Sequence, residues 1–145
     1  MRKYFVDSNV FLRFYSKDDE KQKRQARAIF LKAREKEIEL YCGPPVFFEV
    51  AWVLSSTYGL SRDKILEILE TMLYTPNLRV LDEEIVRNAI ELARITKQGF
   101  ADSYIAVTAQ RLKIGVATFN KQHFSKLGVE LHPMKDDENS LEDIP

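Results

Sequence analysis

The sequence holds one cysteine and two histidines in 145 residues, and each scarcity removes a class of chemistry. Cys42 alone forms no internal disulfide and leaves no cysteine-cluster zinc site; it fits a reducing cytoplasm. His123 and His132 are too few for a histidine-rich metal centre, and each reads as non-catalytic. Glycine is sparse as well: there are five, none spaced as GxGxxG or GxxxxGK, so no phosphate-cradling loop is encoded. No serine sits in a GxSxG context. Long apolar runs are missing, and the N-terminal one is broken by Asp7, Asn9 and Arg13, so neither a membrane span nor a signal peptide is expected. Net charge is zero, yet unevenly spread: residues 136–145 hold five acids and no base. The first 135 residues therefore carry a modest positive excess, which permits a nucleic-acid partner without establishing one. The expectation is a cytoplasmic protein with one domain over residues 1–135 and a loose acidic tail over 136–145.

What is present is an alternation of strand and helix patterns. "KYFVD" (3–7) is aromatic and β-branched and reads as a strand buried on both faces. "SNVFLRFYS" (8–16) has short helical spacing. Residues 18–37 form an amphipathic helix with an acidic first turn and the inward stripe Ala26, Ile29, Phe30, Ala33. The bases Lys21, Lys23, Arg24 and Arg27 read as its solvated face. "IELYCG" (38–43) is a strand stopped by Gly43, Pro44 and Pro45, and Pro45 suits the start of a helix that Gly59 ends. Ser61 caps the next helix, whose stripe runs through Ile65, Leu66, Ile68, Leu69 and Met72. "LRVL" (78–81), "GVATFN" (115–120) and "VELH" (129–132) read as further strands, and 82–99 and 102–113 as helices. Strands separated by long helices imply crossovers, hence a three-layer α/β/α domain with a mostly parallel sheet of four or five strands. In such sheets ligands gather at the carboxyl ends of strands, where Asp7 and Asn120 fall.

Three carboxylates invite attention. Glu49 is the only polar side chain in "PPVFFEVAWVL" (44–54), beside Pro45, Val46, Trp52 and Val53 at helical spacing. A buried unpaired carboxylate is costly, so Glu49 is exposed, protonated, paired or bound to a metal. Asp7 and Asp102 each open a helical stretch, and each alone reads first as an N-cap. Together, at one end of a parallel sheet, three acids without bases would repel, and a hard divalent cation relieves that repulsion. Oxygen ligation with retained waters suits magnesium or manganese.

The stretches "YFVDSNVFLRF", "PPVFFEVAWVL", "FADSYIAVTAQ" and "GVATFNKQHF" resemble a PIN domain, in an order close to that of the VapC-type toxin ribonucleases. The resemblance runs from about residue 3 to residue 132. It implies a metal-dependent endoribonuclease that acts as the toxin of a toxin–antitoxin pair, with RNA as substrate, a small antitoxin as partner and a homodimeric assembly. Asp7, Glu49 and Asp102 match the family's core acids, and Asn9 a supporting polar residue. Thr118 and Asn120 match a strand-end T-x-D segment in which many members carry a fourth acid. Asn120 supplies no charge there, which implies weaker binding of a second cation. The polyanionic substrate must be drawn in by basic groups, with Arg13, Lys17 and the cluster Lys21, Lys23, Arg24 and Arg27 as candidates.

Two other readings stand beside this one. A PIN-like module that has lost cleavage and only binds RNA or protein is favoured by Asn120. An aspartyl-phosphate enzyme is suggested by "VDSNV", but a dehalogenase-like motif needs a second aspartate where this chain has Asn9. A receiver domain is disfavoured because no acidic pair follows the first strand.

Overall fold

The computed structural model describes residues 1–136. Among the described residues five short strands and seven helices follow one another: β1 (Arg2–Phe5), α1 (Ser8–Leu12), α2 (Glu20–Arg34), β2 (Ile38–Cys42), α3 (Pro44–Ser56), α4 (Arg62–Leu73), β3 (Leu78–Val80), α5 (Glu83–Thr96), α6 (Phe100–Leu112), β4 (Val116–Ala117), α7 (Lys121–Ser125) and β5 (Leu131–His132). Every strand pairing is parallel, as the helical crossovers require. The mixed α/β class expected from the sequence is therefore the one observed. The five strands fall into two hydrogen-bonded groups, β1-β2-β3 and β4-β5.

In the larger sheet Tyr4 faces Leu40, and Leu40 faces Leu78, so the register brings like side chains into line. Glu39 on the central strand pairs with Lys3 at 3.8 Å on one side and with Arg79 on the other, a cross-strand clamp on the sheet. Two further backbone bonds, from Val6 N–H to the Tyr41 carbonyl and from Leu81 N–H to the Cys42 carbonyl, both 2.8 Å, carry the pairing past the strand ends. One expectation is corrected here. β1 is not buried on both faces: all four of its residues are exposed, Phe5 by 56%. It is an edge strand whose one hydrogen-bonded neighbour is β2, and only from Val6 onward does the chain enter the core.

The helices follow their patterns closely. Asp19 caps α2, its carboxylate accepting from the Gln22 N–H, and Ser61 caps α4 by accepting from the Lys64 N–H. Pro44 and Pro45 occupy the first positions of α3, where a missing N–H leaves no bond unmade. The stripe of α4 is buried throughout, and Ala26 and Ala33 of α2 are buried with Ile29 and Phe30 partly so. Gly59, at φ +61°, makes the turn out of α3. The main core joins α1, α3, α4 and α5 to the β1-β2-β3 sheet through residues such as Phe47, Val50, Leu54, Leu69 and Val86. A smaller core of Ala106, Ala109, Val116, Phe124 and Leu127 fastens α7 and β4 to α6. Among the described residues no helix is long and apolar enough to cross a membrane. Asp136 is exposed, and the rest of the acidic tail, residues 137–145, lies outside the described residues.

Candidate active site

Asp7 stands two residues beyond β1, in extended backbone (φ −81°, ψ 160°) that turns the chain into α1. Its Oδ1 accepts the Ser8 N–H at 2.8 Å, the capping role expected of it. A carboxylate has lone pairs to spare, so this bond leaves Oδ2 available. Asp7 itself is exposed. One turn on, Asn9 and Arg13 line the same cleft between α1 and α2, a space of about 390 Å³ shared with Gln22 and Gln25. Lys17 is exposed in the bend that leads to α2.

Glu49 resolves in favour of exposure. α3 turns Val46, Phe47, Val50 and Leu54 inward, while Glu49 shares the outer side with Pro45 and Trp52, the latter 67% exposed. The neighbouring Phe48 packs on Phe100 and Tyr104 of α6, ring centroids 5.3 and 4.9 Å apart. This contact packs α3 on the first turns of α6, the helix that carries Asp102. Burial, and then the charge of Asp82, raise the Tyr104 phenol above its ordinary range, so the ring remains neutral.

Asp102 is not the cap of α6. The helix begins at Phe100 after Gly99, which places Asp102 in the first turn, where a negative charge complements the helix dipole. The half-buried carboxylate meets His123, whose Nδ1 lies 3.2 Å from Oδ2. The same Nδ1 is 2.7 Å from Asn120 Nδ2. Asn120 is the N-cap residue of α7, and its backbone N–H donates to Thr118 Oγ1 at 2.9 Å. Thr118, Asn120, His123 and Asp102 therefore form one polar group.

His123 is the residue that sequence reasoning set aside. The five-residue α7 that positions it is too short to show an apolar period, and its one signal was a polar cap residue three places before the histidine. His132 lies on β5 and is exposed.

Among the described residues Asp7 and Glu49 pair with no basic side chain, and Asp102 pairs only with His123. The donor set of carboxylate oxygens without cationic partners fits a hard divalent ion in its chemistry. It is not drawn together: among the described residues no three His, Cys, Asp or Glu side chains form a group that would hold a metal. The helices that carry the acids are nonetheless in contact, α1 with α3 and α3 with α6.

The chain is a parallel α/β domain, a class in which ligands bind beyond the carboxyl ends of strands, and Asp7 stands just beyond β1. The PIN domain family model matches residues 4–130, and the chain belongs to that family. It is similar to a VapC ribonuclease of Aquifex aeolicus, 28% identical over 123 residues that make up 85% of this chain and 90% of the relative. Two solved structures also align at 18% identity. FitAB bound to a DNA fragment covers 88% of this chain and 92% of its own at a TM-score of 0.34. FitAcB from Neisseria gonorrhoeae covers 89% and 96% at 0.33.

Proposed function

We propose that this protein is a metal-dependent endoribonuclease, the toxin of a toxin–antitoxin pair, built as a single PIN domain over residues 1–135. The observation that carries the reading is the set Asp7, Glu49 and Asp102. The chain belongs to the PIN family and is similar to a VapC ribonuclease, and Asp7 and Glu49 are exposed without cationic partners among the described residues, which supports the reading. Asp7, Asp102 and Glu49 would hold a magnesium or manganese ion. When bound, such an ion polarises a phosphodiester and lowers the pKa of a water at the site.

The chain's own residues do the remainder. Asp7 stays oriented by the Ser8 N–H, a bond that leaves its other carboxylate oxygen available. Arg13, held in the cleft with Asn9, and Lys17 on the adjoining bend attract the RNA backbone toward a site whose acids would otherwise repel it. Thr118 fixes the strand-end turn at Asn120. No side-chain nucleophile takes part; water attacks phosphorus in line, and the departing oxygen leaves on the opposite side.

A homodimer in the cytoplasm, held by a small antitoxin until release, completes the proposal. Exposed Trp52 beside an apolar groove lined by Phe48, Ala51, Leu60 and Phe100 supports a self-association surface there. The second reading, a silent RNA- or protein-binding module, is favoured by Asn120, which leaves the site one negative charge short.

The two are separated by incubating wild type and Asp7→Asn with a panel of RNAs and magnesium or manganese. Loss of outer-shell partners already costs metal sites about 10–100-fold, so removal of a ligand charge is expected to lower cleavage by at least about 100-fold. Absence of wild-type cleavage across the panel favours the binding module.

A further inference from the structure

Phe119 is 87% exposed, the most exposed large apolar side chain among the described residues. Its ring belongs to neither core and, among the described residues, packs on no other aromatic ring. The backbone that carries it is nonetheless fixed on both sides. Val116 and Phe124, 8% and 4% exposed, are held in the smaller core. Between them Thr118 Oγ1 accepts the Asn120 N–H at 2.9 Å, which closes a local turn with Phe119 at its tip. An ordered turn thus presents a bare aromatic ring to solvent.

That turn adjoins the candidate site. Asn120 Nδ2 lies 2.7 Å from His123 Nδ1, and the same nitrogen lies 3.2 Å from Asp102 Oδ2. On the far side of Asn120, Lys121 is exposed and pairs with no acid among the described residues. A flat ring and an unpaired ammonium two positions apart match a nucleotide in kind. The ring offers its face to a base, and the ammonium offers its charge to a phosphate. A protein partner would call for a contiguous apolar patch poor in lysine. The residues flanking Phe119, namely Thr118, Asn120 and Lys121, are polar.

We infer that Phe119 is a stacking platform for an unpaired base beside the proposed cleavage site, and that it directs the enzyme to single-stranded RNA. The inference rests on the ribonuclease reading above and names the substrate class of that site. Within a duplex the faces of each base are covered by its neighbours, and an aromatic side chain reaches them only where the strand is unpaired. Every base has such a face, so Phe119 selects for the absence of pairing and not for sequence.

The test uses the full chain and a labelled single-stranded RNA of about 12 nucleotides, with the same RNA annealed to its complement as the duplex. Binding is followed by fluorescence anisotropy with calcium in place of magnesium, and cleavage is read separately with manganese. Wild type is expected to bind the single strand at least about fivefold tighter than the duplex. Phe119→Ala is expected to lose at least about fivefold in single-strand affinity with duplex binding unchanged. Phe119→Leu keeps apolar bulk without a flat face and is expected to lose as much, whereas Phe119→Trp is expected to retain full affinity. Unchanged binding in Phe119→Ala, or full affinity in Phe119→Leu, overturns the platform and leaves the ribonuclease reading to its own cleavage assay. Sedimentation that shows a dimer lost in Phe119→Ala, with RNA binding intact, also overturns it and marks the ring as a protein contact. Affinity lost in Phe119→Ala while wild type cleaves no RNA keeps the platform and overturns the nuclease. A wild type that neither binds nor cleaves RNA overturns both.

Discussion

Asp7 turns the chain from the first strand into α1 by capping it, its Oδ1 accepting the Ser8 N–H. Glu49 was legible as an anomaly from sequence alone, because a lone carboxylate in an apolar helix has few physical outcomes. The structure selects exposure. His123 was not legible, since nothing local distinguishes a surface histidine from one that meets an aspartate 21 positions earlier in the chain. Cys42 is a contrasting case. Fully buried, its thiol is pushed up to about 12, so at neutral pH almost none is the reactive thiolate. Native protein is expected to resist a thiol reagent at pH 7.5 and to react stoichiometrically once unfolded in guanidinium, as followed by absorbance. Rapid labelling of the folded chain would contradict the burial of that strand end.

At the scale of elements, the helices were the readable part. The buried stripe of α4 and the cap at Ser61 follow from residues within one segment, and the structure reproduces both. Edge strands are another matter. "KYFV" carries the composition of a buried strand, but exposure depends on which strand lies beside it, and that is decided by chain segments far away. The start of α6 was misplaced by two residues because Asp102 is a good cap by type, whereas Gly99 caps by backbone conformation alone. One contact between elements yields a pH prediction. Glu84 on α5 accepts from Arg111 on α6 at 2.7 Å, and this bond holds its carboxyl below the ordinary carboxylate range. A depressed folded pKa stabilises the fold above the unfolded value and ceases to do so as pH falls through the folded value. Glu84→Gln is therefore expected to unfold at lower urea than wild type at pH 7, with the gap closing below pH 4. A gap that persists into acid would contradict the ion pair as its source.

At the scale of the molecule, one core carries most of the fold while a smaller one fastens the β4–α7 segment to α6. Leu69 is fully buried in the larger core, so Leu69→Ala is expected to cost about 2–5 kcal/mol in urea unfolding. A loss below about 1 kcal/mol would mean that the site collapses freely. The α/β class and parallel pairing were readable from the strand–helix alternation, whereas the division of five strands into three and two was not. β4 and β5 are each only two residues long, too short to show a strand pattern of their own. The central claim, that acids at one end of this fold cut RNA with a divalent ion, is tested most directly by one cleavage assay. It compares wild type with Asp7→Asn on the same RNA, with manganese, with magnesium and with EDTA. Cleavage by wild type that EDTA abolishes and Asp7→Asn lowers by at least about 100-fold is the result predicted. Equal cleavage by both proteins, or cleavage that survives EDTA, would contradict it.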